Sequence, residues 1–163
     1  MRRRDVPAVV GMMRELIQHI RAHGEPAPGR ITADKVLRNG FGPDRWFGVL
    51  LATLDGKPAG YALHHRGYEV DDAARVLYLS DLYVKPEARR RGVAGALMTA
   101  VARECERSGA EEVLWRVHSG NGGARKFYRG LGGKEWRLGL TMWWPKDAVR
   151  RAATSRIPGA GKR

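Results

Sequence analysis

The stretch Val84-Lys85-Pro86-Glu87-Ala88-Arg89-Arg90-Arg91-Gly92-Val93-Ala94-Gly95 decides the fold. Ahead of it, Arg75 to Val84 is rich in Val, Leu and Tyr and reads as a strand. Pro86 and Glu87 interrupt that pattern. Behind it, Val93, Leu97, Val101 and Cys105 fall on one helical stripe, with Ala94 and Met98 beside it, until Ser108-Gly109 closes the helix. A strand thus passes through a basic loop into a helix that starts on small residues. Helix N-termini leave N–H donors free and carry partial positive charge. Gly92, Ala94 and Gly95 let a ligand approach the backbone, and Arg89, Arg90 and Arg91 add cationic donors. Together these suit a pyrophosphate. The spacing is neither the dinucleotide fingerprint nor the phosphate-loop Gly-Lys-Ser/Thr pattern, which disfavours hydride transfer and kinase chemistry. On this segment alone, an ordinary strand-to-helix turn with a solvated arginine cluster reads equally well.

The remainder alternates in the same way. Val9, Met12, Met13, Leu16, Ile17 and Ile20 make one face of a helix over Val6 to Ala22. Thr32 caps a short helix that ends at Gly40-Phe41-Gly42-Pro43. Strands are predicted from Phe47 to Thr53 and from Ala59 to His65, joined by the hairpin turn Asp55-Gly56. Glu69 to Ala74 is a polar connection before the strand already described. A strand follows over Glu112 to His118, with Val113, Trp115 and Val117 on one side. Asn121 opens a helix carrying Ala124, Phe127, Tyr128 and Leu131, and Gly132-Gly133 stops it. Trp136 to Trp144 reads as a last strand. The order implies an α/β domain with a mixed sheet over residues 1–145, followed by a basic, flexible tail over 146–163.

The chain has 163 residues, long enough for one domain with a core that needs no disulfide. Its single cysteine, Cys105, fits a reducing, cytoplasmic compartment and reads as a small core residue, not a nucleophile. No apolar run reaches the length of a membrane span, and the N-terminus lacks the pattern of a signal peptide. The net charge is +13. Arg2 to Arg4, and the stretch 146–163 with six basic residues against Asp147, hold eight of those charges. Charge gathered at the ends, not on a folded face, makes a nucleic-acid partner an outside reading. His19 and His23 have a metal-compatible spacing but lack the neighbouring Glu of a zinc-protease motif, so no metal is expected. His64 and His65 should face opposite sides of their strand.

Two motifs at one spacing turn these readings toward a function. Arg89-x-x-Gly92-x-Ala94 resembles the pyrophosphate loop of the GNAT superfamily of acetyl-CoA-dependent N-acetyltransferases. Asn121-x-x-Ala124-x-x-Phe127-Tyr128 with Leu131-Gly132, one helix and one strand later, resembles that family's downstream motif. Gly40-Phe41-Gly42, Leu77 to Val84, and Trp115 ahead of Asn121 are most similar to the diamine (spermidine/spermine-type) acetyltransferases. The likeness runs from about Val9 to Trp144. It implies a GNAT-like, mostly antiparallel mixed sheet flanked by helices, with a first strand that is short or missing. It also implies acetyl-CoA as co-substrate, a small amine as acceptor, and a homodimer as a common assembly.

The resemblance also assigns residues. Leu82, Tyr83 and Val84 would present backbone groups to the pantetheine arm, with the Leu82 N–H polarising the thioester carbonyl. Arg89, Arg90, Arg91, Gly92, Val93, Ala94 and Gly95 would hold the pyrophosphate, and Asn121 and Ala124 the pantetheine region. Tyr128 would protonate the departing thiolate as general acid, a task suited to a phenol neutral at pH 7. An alkylamine acceptor is protonated at pH 7 and must lose a proton before it attacks. Diamine acetyltransferases carry Glu-Asp where this chain has Ser80-Asp81. Asp81 is therefore the expected acid at the acceptor, with Ser80 and Trp115 as substrate contacts. Other readings are acetylation of a protein or peptide, and a non-enzymatic basic protein that binds nucleic acid.

Overall fold

The computed structural model describes residues 1–22, 24 and 26–135. The expected strand over Trp136–Trp144, the basic tail and His23 lie outside the described residues. The chain divides into two compact units, residues 1–118 and 119–163.

The first unit is a four-stranded sheet in the order β1-β2-β3-β4, formed by Gly48–Leu54, Lys57–Glu69, Ala74–Val84 and Glu112–Trp115. The first three strands are antiparallel, and β4 is parallel to β3. A parallel neighbour requires a crossover, and α3 (Val93–Ser108) supplies it. The β1–β2 turn is tight because Asp55 and Gly56 both take positive φ, +52° and +73°, as a two-residue type I′ hairpin demands. Helix α1 (Val6–Ala22) and helix α2 (Ala33–Gly40) complete the unit. The Thr32 hydroxyl accepts the Lys35 N–H at 3.3 Å, which starts α2 where the sequence predicts. A short 3-10 turn over Arg3–Asp5 runs directly into α1, so no strand precedes that helix within this chain.

Period-two alternation divides the core between the two sheet faces. Val9, Val10, Met12 and Met13 of α1 and Val36 of α2 pack with Val49, Tyr61 and Tyr83. On the other face Leu97, Val101 and Cys105 of α3 pack with Ala62, Leu77 and Leu79. Each large apolar side chain buried this way contributes roughly 1.5–3 kcal/mol. Cys105 is buried, as expected, with its thiol directed at the Ala110 carbonyl at 3.3 Å.

Two strand ends depart from the sequence reading. β2 continues past His65 to Glu69, because Arg66 to Glu69 pair with Leu77 to Ala74 of β3. β4 stops at Trp115, three residues short of His118, because its pairing with β3 ends there.

The second unit contributes α4 (Gly122–Gly130) among its described residues. Asn121 caps it, its side-chain oxygen accepting the Ala124 N–H at 3.0 Å. Arg125 and Arg129 both pair with Glu135, which pulls that carboxyl down to about 2.

Candidate active site

The junction between β3 and the loop that follows it is the irregular part of the first unit. β3 and β4 pair over Val76 to Leu79 only, the last couple being Leu79 with Trp115. Beyond Leu79, no strand of the described residues lies on that side of β3. The other edge of β3 stays paired with β2 as far as Gly60 and Val84. Among the described residues, one side of Ser80 to Val84 is therefore backbone that no strand pairs with.

The hydrogen-bond ladder shows which groups face that opening. The Lys85 N–H donates to the Ala59 carbonyl at 2.9 Å. Hydrogen-bonded couples alternate along an antiparallel pair. Counting back from Ala59 and Lys85, Tyr61 with Tyr83 is a bonded couple, and Ala62 with Leu82 is not. The N–H and C=O of Leu82 and of Val84 consequently point away from β2, toward the opening. The Val84 carbonyl accepts Arg89 Nε at 3.2 Å, in keeping with that direction.

The loop behaves as its composition suggests. A 3-10 turn over Pro86–Ala88 buries Ala88 and leads to Arg89. Gly92 sits at φ +78° and opens α3, where an L side chain would be strained. An added Cβ at Gly92 or Gly95 would meet no atom within 4 Å, so the helix start faces open space. Arg90 takes a left-handed φ of +61°, a conformation that costs a non-glycine residue about 1–2 kcal/mol. Arg91 pairs with Asp55 of the β1–β2 turn at 3.3 Å. Open N–H groups at the first turn of α3, with arginines on the approach, fit a pyrophosphate.

The α1 face of the sheet carries the acidic group. Asp81 pairs with Leu63, while His64 pairs with Leu79, so Ser80 is an extra residue in β3. This β-bulge re-aims the chain. It brings Asp81 beside Tyr61, whose hydroxyl donates to Asp81 Oδ2 at 3.3 Å. Burial pushes the Asp81 carboxyl up, and the Tyr61 hydrogen bond works against that shift. Ser80 is exposed. Further along the face the Tyr83 hydroxyl donates to Glu15 Oε2 of α1 at 2.9 Å. Burial, then that carboxylate, pushes Tyr83 up to about 12. Glu15 also lies 4.0 Å from Lys85 Nζ.

Trp115 packs on the opposite face, with the α3 cluster, so the structure does not bring it to the side of Asp81. In the second unit, the Asn121 side-chain oxygen is committed to the helix cap, leaving its amide hydrogens as donors. The Tyr128 ring packs against Phe127 with centroids 5.3 Å apart, and burial raises its hydroxyl above the usual tyrosine value. That phenol is neutral across the physiological range and holds a proton to give. Sequence reasoning missed Tyr61 and Glu15. Each reads as an ordinary member of an element, and only register shows which hydroxyl or carboxylate it meets. His64 is buried and His65 half-buried, as alternation predicts. No helix among the described residues is long and apolar enough to cross a membrane.

Known proteins share the family and the fold of this chain. The model of the acetyltransferase (GNAT) family matches residues 12–132. The chain is 33% identical over 104 residues to an L-ornithine N5-acetyltransferase of Arabidopsis thaliana, covering 62% of this chain but only 42% of that protein. It is 25% identical over 139 residues to the thialysine N-epsilon-acetyltransferase of Bos taurus, covering 80% of this chain and 79% of the other. Among solved structures, an integron cassette protein from the mobile metagenome of V. cholerae superposes with a TM-score of 0.76 at 21% identity, covering 95% of each chain. The fold is shared at that distance, and the family model spans both the loop at Arg89–Gly95 and the α4 segment. The chain belongs to the acetyltransferase (GNAT) family and is an acetyltransferase.

Proposed function

We propose that this acetyltransferase moves the acetyl group of acetyl-CoA to a primary amine of a small cationic, diamine-like substrate, by direct attack in a ternary complex. The observation that carries the reading is the parting of β3 from β4 after Leu79, with the Leu82 N–H turned into the opening. Acetyl-CoA supplies the activated acyl group. The open first turn of α3, with Arg89, Arg90 and Arg91, suits its diphosphate. The Leu82 N–H donates to the thioester carbonyl, and a fixed donor of this kind is worth about 3 kcal/mol when charge develops on the oxygen.

Asp81 accepts a proton from the acceptor ammonium. The freed nitrogen lone pair forms the C–N bond, and the C–S bond breaks with its electron pair leaving on sulfur. The nitrogen sheds its remaining surplus proton to water, and Tyr128, by likeness to the family, gives one to the thiolate and regains it from water. Products are the amide and free CoA thiol. Asp81 is a fitting acceptor because burial raises its affinity for a proton while the Tyr61 hydrogen bond favours its ionised form. The ornithine and thialysine activities of the relatives are amine acetylations, which supports an amine acceptor here. Ser80 next to Asp81 offers a hydroxyl in place of a second carboxylate, which favours an acceptor with one recognised cationic end.

The test is CoA-thiol release from acetyl-CoA with putrescine, spermidine, ornithine, thialysine, an aminoglycoside and a lysine peptide. Turnover with one or more of the small amines, and tight binding of acetyl-CoA by calorimetry, is expected. No binding at millimolar acetyl-CoA would remove the reading. Turnover of the lysine peptide alone would replace the acceptor class with protein.

A further inference from the structure

We propose that Tyr61 is a positioning residue, its buried hydroxyl holding the Asp81 carboxylate ionised and aimed at the acceptor amine. This rests on the reading of Asp81 as the proton acceptor. Tyr61 is fully buried at 0% exposure, in the cluster beneath α1. A phenylalanine there would fill the same space with no polar demand. A buried phenol instead needs a hydrogen-bond partner, and this one points at Asp81 Oδ2, 3.3 Å away. Burial drives the Tyr61 hydroxyl far above the usual tyrosine value, so it acts as a donor at every working pH.

Two opposed effects then meet on one carboxyl. Desolvation favours the protonated form, and a hydrogen bond donated to the anion favours the ionised form. Without Tyr61 only the first remains. The groups around this pair leave few other controls. Tyr83, on the same strand, stands with its ring centroid 6.1 Å from that of Tyr61 and gives its hydroxyl to Glu15. Glu15 of α1 is taken up by Tyr83 and Lys85. The bulge at Ser80 sets the direction of Asp81, and Tyr61 from β2 fixes its protonation.

The experiment reads Asp81 directly. Protein labelled with 13C at aspartate carboxyls is titrated by NMR, the Asp81 signal being the one lost in Asp81→Asn. In Tyr61→Phe the Asp81 midpoint rises by about one pH unit. The acid limb of kcat/KM for the best amine of the panel moves up by the same amount, and the affinity for acetyl-CoA stays put. Tyr83→Phe, which removes a hydroxyl bound elsewhere, leaves the Asp81 midpoint in place. An unmoved midpoint in Tyr61→Phe overturns the inference, and so does an equal shift in Tyr83→Phe, which would assign the effect to loosened packing. A shifted midpoint with an unmoved rate limb overturns the role of Asp81 in acceptor chemistry and takes the positioning role with it. If no amine reacts, the functional reading fails while the titration still decides whether Tyr61 controls Asp81.

Discussion

Gly60 offers a direct probe of the strand end proposed to face acetyl-CoA. It lies opposite Val84 in the β2–β3 ladder. A Cβ at this position would stand 2.5 Å from the Tyr83 carbonyl oxygen and 3.2 Å from Val84 Cα. Both obstacles are backbone, so no side chain can swing aside. To regain ordinary contact at 3.4 Å, the end of β3 must retreat by about 0.9 Å from β2. Leu82 to Val84 move with it. A displacement of ~1 Å at a reacting geometry costs about 10²-fold in rate, so Gly60→Ala is expected to lower kcat for acetyl transfer by that order. Overpacking of about 1–3 kcal/mol lowers Tm by roughly 2–12 °C in a chain of this size. The assay is CoA-thiol release at saturating amine, with acetyl-CoA affinity by calorimetry and Tm by scanning calorimetry. Gly67→Ala is the control. Its Cβ meets side-chain atoms, Val76 Cγ2 at 3.1 Å and the Tyr78 ring at 3.2 Å, at the far end of the same strand. That variant loses stability and keeps kcat. A folded Gly60→Ala enzyme with unchanged kcat and acetyl-CoA affinity would refute the assignment of the thioester to Leu82–Val84.

Tyr128→Phe removes the proposed proton donor and is expected to lower kcat by about 10²-fold with acetyl-CoA binding nearly kept; an unchanged kcat would leave Tyr128 as packing against Phe127. Asp81→Asn should lower kcat/KM for the amine by about 10²-fold or more. It should also raise Tm at pH 8, because the folded carboxyl sits above its unfolded value and the stability it contributes is lost as pH rises through the folded value; a lower Tm at that pH would contradict this. His64 has the opposite sign. Burial lowers its folded value, so its contribution is present above pH about 6.5 and is lost as pH falls from there through the folded value. Tm measured from pH 7.5 to 5.5 should fall less steeply in His64→Gln than in the native chain, and identical slopes would exclude His64 as the cause.

Most of the first unit can be read from short-range pattern. The stripe through Val9, Met12 and Met13, the Thr32 cap and the Asp55-Gly56 turn are each specified within a few residues, and each forms where the pattern puts it. What escapes is long-range register. Tyr61 and Asp81 are 20 residues apart and Glu15 and Tyr83 are 68 apart, so neither pair leaves a local trace. The early end of β4 is equally silent, since Arg116 to His118 could continue a strand by pattern, yet the pairing with β3 ends at Leu79 and Trp115. Trp115 is the instructive case. Alternation puts it on the same side of β4 as Val113, and both pack with the α3 cluster. Likeness to the diamine enzymes drew it to the acceptor instead.

In the proposed function, the bulge at Ser80 lets one strand serve both substrates. Side chains and backbone groups of a strand alternate with the same period of two, so a change of phase in one is a change in the other. Leu77 and Leu79 face the α3 cluster, and past the bulge Leu82 and Val84 take that side. With Ser80 paired in regular register and no bulge, Asp81 would continue the row of Leu77 and Leu79 into apolar packing, and the Leu82 side chain would turn toward α1. The bulge, by leaving Ser80 unpaired, puts the carboxylate under α1, beside Tyr61, and in the next residue turns an N–H toward the side that β4 has left. In the proposed reading, Ser80 in place of the Glu of the diamine enzymes removes one charge from the acceptor side while the bulge between Leu79 and Asp81 still aims the other.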